Sequence, residues 1–418
     1  MMSKKKIIII TLFVIILLVV GCVYIHMLNK KPDTKPDDNK TNEPVVVEKE
    51  NKNDFSFLKL ENYKQNIVYS PYSINTAFYM LSLGANGNTE KELKNFLGDF
   101  KLVNYGDIDN KLSVANGTFI NNLYKDTIKK SYLDELQSKF NNKVEVMHDD
   151  FNSVENINKW VSKKTFELIP SILEEGQVDS ETRIVLANAL AFKMDWVDKF
   201  DANDTYGGDF YLEDGSKIVA TTLSKKAYGD SISYYKGDNV TALAMDLEKI
   251  DETQFELLAI MPEDLSEYIK NVKVSDIYDI DSKLVKASSE KNGIRINIPK
   301  FKFDYQLELK KDLIELGLKD TFSPGVADLS KISDRDLYVS DCVHKATIDF
   351  SEDGVKASAA TVIISKEFSS IEEKPIIVSM DKPFMFIIRD KKTKDILFVG
   401  SVYSPNLWDD DRNLYIEQ

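Results

Sequence analysis

The sequence predicts an α+β fold, and three observations carry that reading. Helical signals crowd the first part of the chain, with stretches at about 70–84, 128–140 and 154–172 and a further start at Thr89. The run from Ile184 to Phe192 is almost unbrokenly apolar, as in a central strand buried on both faces. Beyond it the apolar period falls towards two, in short strands cut by turn signals. Helices that come early and strands that come late favour a segregated α+β fold over a doubly wound parallel sheet. With 418 residues, 43% apolar and 29% charged, the chain has ordinary globular composition and a core to bury.

Each element has a local cause. Tyr69-Ser70-Pro71 ends a short strand and opens a helix: Ser70 suits the N-cap, and Pro71 suits the first helical position, where a missing donor costs nothing. Ala77, Met80, Leu81 and Gly84 then give that helix its buried face. Thr89 and Glu92 have the spacing of a capping box and predict a second helix start. Later, Phe210–Leu212, Ala242–Leu247 and Leu257–Met261 read as strands. Arg295–Ile298 alternates, and Pro299 marks its end or an edge. Lys310–Leu316 is helical, and Phe384–Ile388 with Ile396–Val402 reads as a terminal hairpin.

The first 28 residues stand apart. Lys4, Lys5 and Lys6 precede an apolar run from Ile7 to Val20, which is the layout of a signal peptide. Val19-Val20-Gly21-Cys22 resembles a bacterial lipobox, which implies cleavage before Cys22 and lipidation of its thiol. The chain stays largely apolar to Leu28, so an uncleaved transmembrane anchor is the alternative. Either places the remainder on the extracellular face of the cell membrane. Residues 29–54 are rich in Lys, Asp, Asn, Glu and Pro, the composition of a disordered linker, and the folded domain is expected over 55–418.

Charge and chemistry exclude several function classes. A net charge of −14, with no basic stripe interleaved with aromatics, argues against nucleic acid. Cys22 and Cys342 lie in such different contexts that no disulfide framework is expected. The three histidines are His26, His148 and His344, and no serine stands in a Gly-x-Ser-x-Gly elbow, so no enzyme activity is expected. Nor does any Cys/His cluster suit a metal, and no cofactor is implied.

The informative anomaly lies between residues 344 and 383. After Glu352-Asp353-Gly354, the stretch Val355–Ile364 has strand period, with Val355, Ala357, Ala359, Thr361 and Ile363 on one face. These are mostly small side chains, which limit what must be displaced if such a strand enters a slot between others. A mostly polar segment, Ser365–Pro375, follows, with Phe368 as its prominent apolar residue. By composition alone, an ordinary edge strand and surface loop would account for this.

Three groups of residues change that reading. The first is Asn66–Ile74 with Met80-Leu81 and Gly84–Thr89. The second is Ile157–Val161 with Thr165, Leu186–Ala189, Phe192-Lys193, Trp196 and Phe200. The third is His344–Ala346, Glu352–Gly354, Lys382–Phe386 and Ile396–Gly400. In this order and near this spacing they resemble the serpin family, over nearly all of residues 55–405. The resemblance implies helices packed around a large, mostly antiparallel central sheet, two further sheets and an exposed reactive-centre loop. It also implies a monomer that inhibits serine proteases outside the cell: the protease attacks the loop and forms a covalent acyl-enzyme, and the severed hinge inserts into the central sheet.

Site residues carry over one at a time. Gly354, Val355, Ala357, Ala359 and Thr361 match the hinge, and counting from Gly354 puts the reactive bond at Phe368–Ser369. Phe368 suits a chymotrypsin-like or subtilisin-like pocket. None of the hinge residues is charged, although Val355 stands where the family more often has Thr or Ser. Ser70, Ser73, Asn188 and His344 match the shutter beneath the sheet; Trp196, Lys300 and Glu352 match the breach at its top. Glu167 stands where the family often has Gly. The alternatives are a non-inhibitory binding protein or cleavable substrate of the same fold, or an inhibitor of cysteine proteases.

Overall fold

The computed structural model describes residues 54–409, apart from 62–63, 104, 106–110, 142–143, 308 and 356–374, and at 114–115 the backbone alone. The predicted anchor, with Cys22, and residues 29–53 of the predicted linker therefore lie outside the described residues. So do Ala357, Ala359, Thr361, Phe368, Ser369 and the loop that carries them. Asp54, the last residue of the predicted linker, belongs to the folded part, where its carbonyl accepts from the Tyr69 hydroxyl at 2.7 Å.

Three sheets organise the rest. The central one runs β3 (Glu145–Asp149), β2 (Leu112–Asn121), β4 (Ile184–Phe192), β14 (Val339–Phe350), β15 (Gly354–Val355) and β5 (Met194–Asp195), with β13 (Phe301–Leu307) on the far side of β14. Its pairings are antiparallel except for β2 with β3 and β4 with β14. A four-stranded sheet runs β16 (Ile376–Ser379), β12 (Ile294–Pro299), β7 (Lys217–Ala227) and β6 (Tyr206–Tyr211). The third sheet runs β1 (Ile67–Tyr69), β18 (Ile396–Val402), β17 (Phe384–Asp390), β10 (Thr253–Pro262), β9 (Val240–Ile250), β8 (Ile232–Lys236) and β11 (Val285–Lys286).

Helices cover these sheets: α1 (Ser56–Leu60), α2 (Pro71–Gly84), α3 (Gly87–Leu97), α4 (Lys130–Lys139), α5 (Glu155–Lys164), α6 (Leu265–Asn271), α7 (Val274–Lys283) and α8 (Leu309–Glu315). The central sheet lies between two of them. Every β4 residue is buried, as its apolar run requires, and alternate residues serve opposite faces. Val185, Ala187 and Ala189 cluster with Ile157 and Val161 of α5. Leu186 clusters with Ile74, Phe78 and Leu81 of α2 on the other face.

Two local readings need correction. Thr89 and Glu92 do not form a capping box: the helix begins at Gly87, and the Asn86 cap makes no side-chain bond. Both groups are engaged elsewhere, the Thr89 hydroxyl accepting from Asp328 N at 2.9 Å and the Glu92 carboxylate from Asp320 N at 2.9 Å. The periodicity from 154 to 172 is not one helix either. It stops at Lys164, where the Thr165 hydroxyl donates to Val161 O (2.9 Å) and accepts from Ile169 N (3.2 Å). Phe166 and Glu167 then turn left-handed, at φ of 52° and 63°. The apolar signal persists past the helix because Ile169, Ile172 and Leu173 pack into the same cluster as α5.

Candidate functional site

The site begins with a mismatch in the central sheet. The parallel pair β4–β14 is hydrogen-bonded only from Ile184/Val339 to Asn188/His344, with a bulge between Val339 and Asp341. Above that level, among the described residues, Ala189–Phe192 pair with β2 and Lys345–Phe350 with β13. The pair is zipped below and parted above. At the top, β15 bridges the gap: Val355 lies opposite both Phe350 and Met194, antiparallel to each, and Gly354 opposite Asp195. A turn closed by Ser351 N to Gly354 O, 3.0 Å, leads into it. A Cβ on Gly354 would stand 2.0 Å from the Met194 carbonyl oxygen, so a residue with a side chain does not fit unless the strands separate. Val355 is buried here at 3% exposure, so its branched side chain is accommodated at the first step of the slot.

Where the zipped segment ends, four sequence-predicted residues meet. Ser70 caps α2 by accepting from Ser73 N at 3.0 Å, as Ser70-Pro71 foretold. The Ser70 backbone N–H donates to His344 Nε2 at 3.0 Å. The Ser73 hydroxyl donates to Asn188 Oδ1, and Asn188 Nδ2 reaches Asn116 Oδ1 at 2.5 Å. α2 is thereby tied to both strands of the central pair at the level where they part. Asn116, in the middle of β2, was not foreseen; its strand has too many small and polar residues to alternate clearly. His344 is fully buried, and desolvation alone pushes its pKa down to about 3. The ring is therefore neutral, with Nε2 as acceptor; Nδ1 has no partner among the described residues.

The top of the sheet holds the second group. Lys300 Nζ meets Glu352 Oε2 at 2.8 Å, and the Thr205 hydroxyl donates to Glu352 Oε1 at 3.2 Å. Burial works to raise the Glu352 pKa, but the hydrogen bond and charge of Lys300 outweigh it and hold the carboxylate below its ordinary value. The Trp196 indole donates to Ser351 O at 2.9 Å, its backbone N–H donates to Asp353 O at 2.8 Å, and its ring lies 5.1 Å from that of Phe350. Trp196, Lys300 and Glu352 thus surround the turn from which β15 enters the sheet. Thr205 and Phe350 complete the group and were missed, since neither belongs to a local motif.

Three sheets, a central parallel pair zipped at one end and a glycine-led segment entering the other define the class of fold. The chain belongs to the serpin family, whose model, "Serpin (serine protease inhibitor)", matches residues 53–405. Leukocyte elastase inhibitor A of Mus musculus is 30% identical over 374 residues, covering 84% of this chain and 96% of that protein. An uncharacterized serpin-like protein of Methanosarcina acetivorans is 29% identical over 386 residues, covering 84% and 83%. Among solved structures, the thermophilic serpin tengpin in its native state superposes with a TM-score of 0.71 at 26% identity, covering 85% of this chain and 93% of that one. The fold is the serpin fold, and several relatives are named as protease inhibitors.

Proposed function

We propose that this protein is a suicide inhibitor of extracellular serine proteases, with Phe368–Ser369 as the bond offered and Val355–Thr361 as the segment that inserts after cleavage. The parted β4–β14 pair with Gly354 and Val355 between its upper ends carries this reading. If both β15 registers continue, residues 356–360 run beside the parted lengths of β4 and β14, and Thr361 is the first to reach His344 and Asn188. Ser70, Ser73, Asn188 and His344 then act as the shutter that must part, and Trp196, Lys300 and Glu352 as the breach that holds the entry point. A relative named for inhibiting leukocyte elastase supports a serine protease as target.

The domain acts at the outer face of a membrane, tethered through residues 29–54 by a lipid on Cys22. Globomycin sensitivity and acyl labelling at Cys22 are the results expected for that anchor; an unprocessed N-terminus in the membrane fraction would assign an uncleaved helix instead.

The decisive experiment mixes the protein with chymotrypsin-like, subtilisin-like and papain-like proteases, followed by denaturing electrophoresis. A complex surviving denaturation with either serine protease class is expected, with new N-termini at Ser369. Clean cleavage without a complex overturns inhibition and leaves a cleavable substrate of serpin fold. A complex with the papain-like enzyme alone moves the target to cysteine proteases.

A further inference from the structure

The family match ends at residue 405, yet the described chain continues to Asp409. Asn406 lies between two elements. Its backbone N–H donates to Lys300 O at 3.0 Å, its carbonyl accepts from Thr221 N at 2.9 Å, and its side-chain Oδ1 accepts from Lys302 N at 3.1 Å. Lys300 N in turn donates to Thr221 O at 2.7 Å. The backbone of the breach lysine is therefore clamped on both sides, by β7 and by the C-terminal segment. That segment continues along β7 where β12 has ended: the Thr221 hydroxyl donates to Leu407 O (2.9 Å), and Trp408 N to Val219 O (3.0 Å). The Trp408 ring covers Gly207 of β6, where an added Cβ would stand 2.9 Å from the indole Cγ.

We propose that Asn406–Trp408 is a clasp that positions Lys300 for its ion pair with Glu352 and so sets the threshold for opening the central sheet. It rests on the insertion mechanism proposed above. The ion pair joins the turn before β15 to Lys300, and the hydrogen bonds of the Lys300 N–H and carbonyl fix the backbone from which that side chain reaches. Asn406, Trp408 and Gly207 are positioning residues in this proposal, acting through Lys300.

The test is the rate at which the uncleaved protein passes to a loop-inserted, inactive and more heat-stable form during mild warming. Asn406→Ala, Trp408→Ala and Gly207→Val are each expected to speed this conversion by on the order of tenfold, as loss of a well-placed hydrogen bond or contact would. In a Lys300→Ala background the same changes are expected to add less than about twofold. Unchanged conversion rates, or full additivity with Lys300→Ala, would overturn the clasp. A control separates the two levels. If protease-nicked wild type gains no thermal stability, insertion itself fails; if it gains stability while the variants convert like wild type, only the clasp fails.

Discussion

His344 is the residue on which the zipped half of the central pair most visibly depends. Its Nε2 must be unprotonated to accept the Ser70 N–H, and burial keeps it so by holding the pKa at about 3. In the unfolded chain an ordinary histidine takes a proton near pH 6.5. The unfolded state therefore binds more protons between those values, and stability falls as pH drops from about 6.5 towards 3, by up to on the order of 4 kcal/mol. Above 6.5 the contribution is complete and flat. Asp54 tilts the other way: burial first, and the charge of Asp395 second, raise its pKa to about 8, so its contribution fades as pH rises through that value. Comparison with His344→Gln isolates the histidine, since glutamine keeps an acceptor and does not titrate. In urea unfolding at pH 7 and pH 5, the wild type is expected to lose on the order of 2 kcal/mol more than the variant; equal losses would remove His344 as the source.

At the scale of elements, local chemistry was legible where neighbours in sequence complete the structure. The Ser70 cap, the Pro71 start and the buried strand β4 each need only adjacent residues, and each is where the sequence puts it. Readings failed where distant partners took a group away. Thr89 and Glu92 brace the chain at 320–328 instead of capping a helix, and sequence spacing carries no trace of that loop. The groups around His344 and Glu352, the proposed shutter and breach, became visible only through family resemblance, because their members come from elements scattered along the chain. Asn116 and Thr205 belong to neither a motif nor a periodic pattern and were found only by geometry. The end of α5 yields a prediction of its own. Glu167 holds a left-handed backbone at φ 63° to bring its N–H to Ser162 O at 2.8 Å, a conformation that strains any residue with a Cβ. Glu167→Gly relieves that strain at the expense of a more flexible unfolded chain, for a net gain of about 0.5–1 kcal/mol. A rise in the thermal midpoint is expected, with no change in inhibition. A fall would mean that the Glu167 side chain contributes more than its backbone strain.

In the proposed mechanism the whole molecule is organised around the length of β4 and β14 above Asn188 and His344, where, among the described residues, the two strands do not pair with each other. What enters there must satisfy the face turned towards the core, because paired residues share a face. Val355 already does so beside Phe350 and Met194, all three in the same apolar cluster. Continuing the two registers sets residue 357 opposite Ile348 and Phe192, residue 359 opposite Ala346 and Leu190, and residue 361 opposite His344 and Asn188. Ile348, Phe192, Ala346 and Leu190 are buried in that cluster too. On insertion in that register, alanines at 357 and 359 would fit against side chains that already fill the space, and a threonine at 361 would bring a hydroxyl to the polar level of the sheet. Ala359→Arg would force a guanidinium between Leu190 and Ala346 with no counter-charge, at a cost of several kcal/mol. On the proposed mechanism residue 359 enters the sheet only after cleavage, so the uncleaved protein should be untouched. The variant is expected to fold and to be cut after Phe368 as fast as the wild type. It should then release active protease instead of trapping it, raising the moles of inhibitor consumed per mole of enzyme at least tenfold. Thermal unfolding after cleavage gives the independent readout: the wild type should gain stability on nicking and the variant should not. If Ala359→Arg traps protease with unchanged stoichiometry, residue 359 does not face the core, and the register continued from Val355 is wrong.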